Sequence, residues 1–218
     1  MTYDGHVRVS GPPAVREMRD LVISKVAVGA MDNNAYLLRC ADDGTQVLID
    51  AAAEPETLVR LAGSGGLTCI VTTHRHRDHW DALAEVVAAT GARTAAGVDD
   101  AEGIGVATDE PLADGATVRV GSCELEVIQL VGHTPGSIAL LYDDPVGHPH
   151  LFTGDSLFPG GVGNTHGSKL DFETLLSDVE RKLFDRLPDE TWVYPGHGAD
   201  TTLGAERPHL DDWRARGW

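Results

Sequence analysis

Three features are scarce in this chain, and each shortage excludes a class of protein. Only 3 of the 218 residues are cysteine. Cys40, Cys69 and Cys123 lie far apart in apolar, strand-like segments, so we expect reduced, buried thiols rather than disulfides or zinc thiolates. Basic residues are also few, with 17 Lys and Arg against 34 Asp and Glu. The formal net charge of -17 disfavours nucleic acid and anionic membranes as partners.

Long apolar runs are the third scarcity. No stretch approaches the length of a transmembrane helix, and the charged segment Met1 to Arg19 does not read as a signal peptide. We therefore expect a cytoplasmic protein. The composition, 42% hydrophobic and 23% charged, is that of a globular chain. We expect a flexible N-terminal segment over residues 1–18 and a single domain over residues 19–218.

Histidine is concentrated in one short stretch, Thr73 to Trp80, which we call the histidine loop. It follows Thr68 to Thr72, which is predicted to be a buried strand. His74 and His76 are two positions apart, so in an extended segment both imidazoles face the same side. Asp78 and His79 are adjacent and must point elsewhere, as ligands for two neighbouring metal ions would. The alternative is a polar loop in which Asp78 caps a helix that starts near Trp80.

Three further ligand types each follow a predicted strand and stand next to glycine. His133 lies in Gly132-His133-Thr134-Pro135-Gly136, Asp155 in Gly154-Asp155-Ser156, and His197 in Pro195-Gly196-His197-Gly198. Taken singly, the first two could be turn or cap residues. Their shared position at the ends of apolar strands favours a common site.

The order of predicted elements indicates the architecture. Strands cluster in both halves of the chain, and each half closes with helices, of which Phe172 to Leu183 has the clearest apolar face. This pattern predicts an α/β (α+β) fold with two sheets face to face and helices outside.

Together, the histidine loop, Gly132 to Gly136, Thr153 to Ser156 and Pro195 to Gly198 resemble the metallo-β-lactamase-fold hydrolases. The resemblance extends from about Asn33 to about Leu210. It implies a four-layer αββα sandwich with a metal site at one edge of the sheets.

The resemblance also implies roles for individual residues. His74, His76 and His133 would hold one divalent ion, Asp78, His79 and His197 the second, and Asp155 would bridge them. The ions would be zinc, with iron or manganese as alternatives. A hydroxide held between them, near His74, His76 and Asp155, would be the nucleophile, with Asp78 as a catalytic carboxylate. Asp50 would brace the histidine loop from behind, although a plain turn aspartate is the alternative.

Within the superfamily, Phe158 to Thr165 and Tyr194 to Gly198 are similar to compact bacterial glyoxalase II-like proteins, which hydrolyse S-acyl thioesters such as S-lactoylglutathione. We therefore expect a small acyl-thiol substrate. Asn164 and His166 are the candidate pocket residues. Glyoxalase II enzymes usually have Lys or Arg at the Asn164 position to pair with a glutathione carboxylate, so the thiol carrier is expected to differ.

Two other activities remain open for the same fold. One is a persulfide dioxygenase that uses a single iron, and the other is hydrolysis of a lactone or another ester. Not every histidine is assigned to the site. His148 and His150 are predicted to be solvated residues of a hairpin turn, and the role of His209 is left open.

Overall fold

Two β-sheets pack face to face in the computed structural model, which describes residues 3–217. The first sheet has strand order β1-β2-β3-β4-β5-β6-β7. Its strands are β1 (Ala14–Glu17), β2 (Leu21–Val28), β3 (Asn33–Cys40), β4 (Gln46–Ile49), β5 (Cys69–Thr72), β6 (Arg93–Gly97) and β7 (Glu110–Leu112). The strands run antiparallel as far as β4 and parallel from β4 to β7.

The second sheet contains strands from the other half of the chain, in the order β15-β14-β11-β10-β9-β8. They are β8 (Thr117–Val120), β9 (Cys123–Gln129), β10 (Ile138–Tyr142), β11 (His150–Gly154), β14 (Trp192–Pro195) and β15 (Thr201–Thr202). A small hairpin, β12 (Leu157–Phe158) with β13 (Gly161–Val162), leaves this sheet near Asp155.

Helices cover the outer face of each sheet. They are α1 (Pro55–Ala62), α2 (Leu83–Thr90), α3 (Lys169–Val179), α4 (Leu203–Glu206) and α5 (Leu210–Arg216). A short π-helical segment, Glu180–Phe184, continues α3. Helix α3 begins and ends earlier than the predicted Phe172 to Leu183. The segment between Gly97 and Gly115 contains the edge strand β7.

Three apolar clusters account for the layers. Residues such as Leu38 and Phe152, from opposite sheets, meet in the central cluster. Leu37, one position away on β3, packs instead with Leu58 of α1 in an outer cluster. Successive apolar residues along a strand point to opposite faces of the sheet, so both faces are apolar. Each sheet therefore needs a helical layer to cover its outer face. The predicted four-layer αββα sandwich is confirmed.

Part of the N-terminal segment makes defined contacts with the rest of the domain, and the flexibility expected for residues 1–18 stays a prediction. Residues 14–17 form β1 and pair with β2. The Tyr3 ring lies 5.9 Å from that of Trp192, and the carbonyl of Gly5 accepts a 2.8 Å hydrogen bond from Lys25 Nζ. These contacts provide burial that residue composition does not reveal. Residues 1 and 2 lie outside the described residues.

The prediction that His150 is a solvated turn residue was wrong. The hairpin turn ends before β11, so His150 is the first strand residue, opposite Tyr142, and is buried. Its Nδ1 lies 2.9 Å from the Tyr194 hydroxyl, and burial lowers the pKa of its imidazole to about 3. His148 is partly buried over Trp192.

The prediction of buried cysteines is confirmed, because Cys40, Cys69 and Cys123 are all buried. None of the helices within residues 3–217 combines the length and the apolar character that a membrane span requires.

Candidate metal centre

The candidate ligands all follow strands, at one edge of the sandwich. The histidine loop continues from β5, His133 lies between β9 and β10, Asp155 follows β11, and His197 follows β14. Strands β4, β5 and β6 are parallel, as are β11 and β14, so their carboxyl ends share an edge. Side chains at this edge meet although they are distant in sequence.

Three imidazoles form the first donor set. His76 Nδ1 lies 2.9 Å from His133 Nε2 and 3.1 Å from His74 Nε2, and the latter two atoms are 3.2 Å apart. Such a triangle of nitrogens can surround one ion, as the resemblance implies.

The second donor set lies beside the first. His197 Nε2 is 3.3 Å from both Asp78 Oδ2 and His79 Nε2, and His79 Nε2 is 3.5 Å from Asp78 Oδ2. The alternative role of Asp78 as a helix cap is wrong, since α2 begins only at Leu83 without a side-chain cap. Asp78 Oδ2 instead accepts a 2.9 Å hydrogen bond from Asn33 Nδ2.

Asp155 lies between the two sets. Its Oδ1 is 3.3 Å from His79 Nε2, while its Oδ2 is 3.6 Å from both His133 Nε2 and His197 Nε2. One carboxylate therefore contacts donors of both sets, which is the placement a bridging ligand needs.

Hydrogen bonds behind the imidazoles determine which nitrogen faces the site. His133 Nδ1 lies 2.7 Å from the carbonyl of Asn164, and His197 Nδ1 lies 2.9 Å from the carbonyl of Met31. A carbonyl only accepts, so both Nδ1 atoms carry the hydrogen. In the neutral rings, each Nε2 therefore presents a lone pair to the site.

Asp50 fixes two further rings from behind. Its Oδ1 accepts from the Thr73 N–H, and its Oδ2 accepts from both Thr73 Oγ1 and His79 Nδ1, all at 2.8 Å. Because the Thr73 hydroxyl donates to Asp50, it accepts from His74 Nδ1 at 3.1 Å. His74 Nε2 and His79 Nε2 are thereby directed into the site. Asp50 is buried, unlike an ordinary turn aspartate.

The electrostatics of the rings differ between the two sets. Burial and the neighbouring imidazoles lower the pKa of His74, and burial also lowers that of His76 and His133, so these rings stay neutral. Burial lowers the pKa of His79 too, but the carboxylates of Asp50 and Asp155 outweigh it and raise this pKa to about 10. The carboxylates thus favour a positive charge, either a proton or a metal ion, between His79 Nε2 and Asp155.

The donors fit divalent cations. Asp155 Oδ1 is buried and has no hydrogen-bond partner among the described residues, and its closest ring nitrogen is the inward-facing His79 Nε2. Two lone pairs that face each other repel unless a proton or a metal ion lies between them. Imidazole and carboxylate donors suit zinc, iron and manganese.

The backbone of Gly196 lies close to the side chains of Asp155 and His79. A Cβ atom on Gly196 would lie 2.2 Å from Asp155 Oδ1 and 2.7 Å from His79 Cε1. Glycine at this position therefore lets the His197 segment come close to both donors.

Strand β3 holds the same segment through residues that our sequence reasoning did not assign to the site. Asn34 donates from its backbone to the carbonyl of Gly196 at 2.7 Å, and Asn34 Nδ2 and Tyr36 Oη donate to that of Pro195 at 2.9 and 2.6 Å. The only sequence signal was the pair of asparagines at the start of a strand.

The two candidate pocket residues occupy different surroundings. Asn164 lines a cavity of about 940 Å³ between the loop Gly163–Ser168 and α3. Its Oδ1 accepts a 2.8 Å hydrogen bond from the backbone of His166, which has a φ of 53°. The His166 ring lies 5.7 Å from that of His76, at the first donor set. His209 is exposed, with its Nδ1 3.8 Å from an oxygen of Asp212.

Comparison with known proteins was made on both sequence and structure. The sequence profile of the metallo-beta-lactamase superfamily matches residues 28–197. Hydroxyacylglutathione hydrolase of Polaromonas sp. strain JS666 is 36% identical over 180 residues, which cover 81% of this chain and 66% of that protein. The protein of the same name from Fuscovulum blasticum is 38% identical over 168 residues, covering 76% and 62%. The chain thus spans about two thirds of the length of these relatives.

Solved structures agree with the fold. The crystal structure of ETHE1 from Myxococcus xanthus has a TM-score of 0.77 at 28% identity and covers 88% of this chain and 84% of that one. That of TTHA1623 in a di-iron-bound form has a TM-score of 0.69 at 35% identity and covers 84% and 96%. Because the profile spans most of the sequence and these folds agree over most of its length, the chain belongs to the metallo-β-lactamase superfamily.

Proposed function

We propose that this protein is a binuclear, metal-dependent hydrolase that cleaves a small-molecule thioester. One observation carries the proposal: seven donor side chains converge in two sets that share Asp155. His74, His76 and His133 would hold one ion, and Asp78, His79 and His197 the other. Zinc suits these donors, with iron or manganese as alternatives.

Two such cations would supply, when bound, an activated water as nucleophile and a polarised carbonyl. The protein residues prepare this chemistry. Asp50 and the carbonyls of Asn164 and Met31 keep imidazole lone pairs directed inward. Asp78 is the proposed catalytic carboxylate. Asn33 donates a hydrogen bond to it, and its 26% exposed side chain supports this role.

The relatives named hydroxyacylglutathione hydrolase support a thioester as the substrate class. A thiolate leaves with less acid assistance than an alkoxide or an amine requires. This chemistry suits a site whose imidazoles are mostly engaged with one another and with outer partners.

The thiol carrier is proposed to differ from glutathione. Asn164 carries no positive charge, and its side-chain oxygen is used to shape the turn at His166. A glutathione carboxylate would therefore lack a cationic partner at this position. A cytoplasmic location also stays a prediction.

The test combines elemental analysis of the purified protein with a panel of thioesters, lactones and persulfides. We expect two metal ions per chain and thioester hydrolysis. His76→Ala removes a donor and should lower metal content and reduce turnover by more than roughly 100-fold, since even the outer partners of a metal ligand are worth that much. The matched control, His148→Ala, should retain both.

Unchanged turnover in metal-analysed His76→Ala would contradict the assignment. Oxygen uptake on a persulfide with a single iron per chain would identify the dioxygenase instead. Cleavage of lactones or oxygen esters in preference to thioesters would identify the other hydrolase activity.

A further inference from the structure

A fully buried aspartate that belongs to neither donor set lies on the opposite side of the histidine loop from Asp50. Asp100 follows β6, and its carboxylate is completely shielded from solvent. A buried charge of this kind is expensive unless several donors satisfy it. The donors that satisfy this one come from two different loops of the proposed metal centre.

Each oxygen of Asp100 has a defined partner. Oδ1 accepts a 2.9 Å hydrogen bond from the backbone N–H of Gly136. Oδ2 accepts from the backbone N–H of Arg75 at 2.9 Å and from Thr134 Oγ1 at 2.5 Å. The Arg75 guanidinium lies farther off, with Nε 3.8 Å from Oδ1.

Two of these partners are direct chain neighbours of the first donor set. Arg75 stands between His74 and His76, and Thr134 follows His133. One carboxylate therefore connects the loop that provides two imidazoles with the loop that provides the third.

The backbones around this contact are closely packed. A Cβ on Gly97 would lie 2.0 Å from the Gly136 carbonyl oxygen, and one on Gly136 would lie 2.3 Å from the Asp100 backbone nitrogen. Two glycines thus let the end of β6 approach the His133 loop closely enough for the carboxylate to reach both sides.

We propose that Asp100 is a positioning residue that sets the separation of His76 and His133, and thereby the metal affinity of the first donor set. This inference rests on the proposed metal centre. Through these hydrogen bonds, Asp100 acts on the first set, whereas Asp50 acts through Thr73 and His79 on both sets.

The carboxylate cannot be replaced by an amide without loss. Backbone N–H groups face both oxygens of Asp100, so an asparagine side chain would turn its NH₂ group toward one of these donors. The two loops would then separate on one side. Removal of an outer partner of this kind typically lowers metal affinity by roughly 10- to 100-fold.

The experiment measures zinc affinity by competition with a chromogenic chelator, in two backgrounds that each retain one donor set. His197→Ala disrupts the second set and leaves the first, and His133→Ala does the reverse. Asp100→Asn is added to each, with Asp99→Asn as the matched control. Asp99 is the exposed neighbour, and it accepts a hydrogen bond from Gln129 rather than from either ligand loop.

We expect Asp100→Asn to raise the zinc dissociation constant by roughly 10- to 100-fold in the His197→Ala background. In the His133→Ala background, Asp100→Asn should change the zinc dissociation constant by less than about threefold. Asp99→Asn should leave this constant unchanged in both backgrounds. Equal weakening in both backgrounds, or none in the first, would overturn the proposal. If the wild-type protein binds no metal, the proposed function itself fails, which is a distinct result.

A milder pair of variants covers the case in which Asp100→Asn does not fold. Thr134→Val replaces by a methyl group the hydroxyl that donates to Asp100 and also contacts Ser137 Oγ, and Thr134→Ser restores it. The valine variant should weaken zinc binding in the His197→Ala background, and the serine variant should recover it. Equal affinity in the two variants would count against the proposal.

Discussion

Asp50→Asn is the sharpest test of how the histidine loop is held. In the wild-type protein, the buried carboxylate accepts hydrogen bonds from Thr73 N–H, Thr73 Oγ1 and His79 Nδ1. Asparagine has nearly the same shape and tolerates the positive φ of 59° at this position. Its oxygen can keep the bond to the Thr73 backbone. Its NH₂ group, however, must face His79 Nδ1, where it can only donate.

His79 must then change its tautomer. With Nδ1 as an acceptor, the hydrogen moves to Nε2, the atom that faces Asp78, Asp155 and His197. The imidazole would no longer present a lone pair to the second ion. We expect roughly 10- to 100-fold weaker binding there, or about 1.4–2.7 kcal/mol.

The fold should lose a free energy similar to that lost by the site. One charge-assisted hydrogen bond contributes about 2 kcal/mol, which corresponds to a decrease in Tm of about 4–8 °C for a domain of this size. The side chain of Asp50 is only 2% exposed, so solvent does not screen the loss.

Zinc competition and thermal unfolding of the metal-free protein measure the two effects separately. Asp81→Asn is the matched control, because Asp81 is exposed and pairs with the exposed guanidinium of Arg77 at the surface. It should change neither quantity by much. Wild-type zinc affinity in Asp50→Asn would refute the tautomer argument, whatever happens to stability.

Two other predictions concern the substrate and pH. Asn164→Arg should lower the KM for a glutathione thioester, because it adds the cation that a carboxylate requires; an unchanged KM would contradict the pocket assignment. Burial, His148 and Arg16 lower the folded-state pKa of His150 to about 3, below its unfolded value. Protonation below that unfolded value therefore favours unfolding, with about 2 kcal/mol lost at pH 5 relative to pH 8. Between pH 6.5 and 4.5, the free energy of unfolding should decline less steeply for metal-free His150→Asn than for the metal-free wild-type protein. The same pH dependence in both proteins, measured by denaturant unfolding, would contradict this prediction.

Local pattern was sufficient to predict the architecture and the candidate donors. Alternation and apolar runs indicated the strands, and polar residues that follow strands next to glycine indicated the ligands. His74, His76 and His79 lie in one loop, so their proximity follows from sequence alone. The meeting of His133, Asp155 and His197 with them was expected from their positions at strand ends and from motif order. The parallel strands β11 and β14 bring Asp155 and His197 to the same edge.

Tertiary structure decided what no local pattern encodes. His150 stands next to a turn in sequence, yet it is buried because β11 begins there and Tyr194 supplies a partner. The N-terminal segment is composed like a loose tail, but β2 and the aromatic rings near Trp192 hold it in place.

The sequence by itself determined the fold class and the candidate metal ligands, because strand pattern, residue type and the order of motifs that resemble a known family are all readable along the chain. Only the tertiary structure revealed Asp100, whose partners Arg75 and Gly136 are 25 and 36 residues away. A buried carboxylate takes its role from the donors that surround it, and those donors meet only when the sheets have packed.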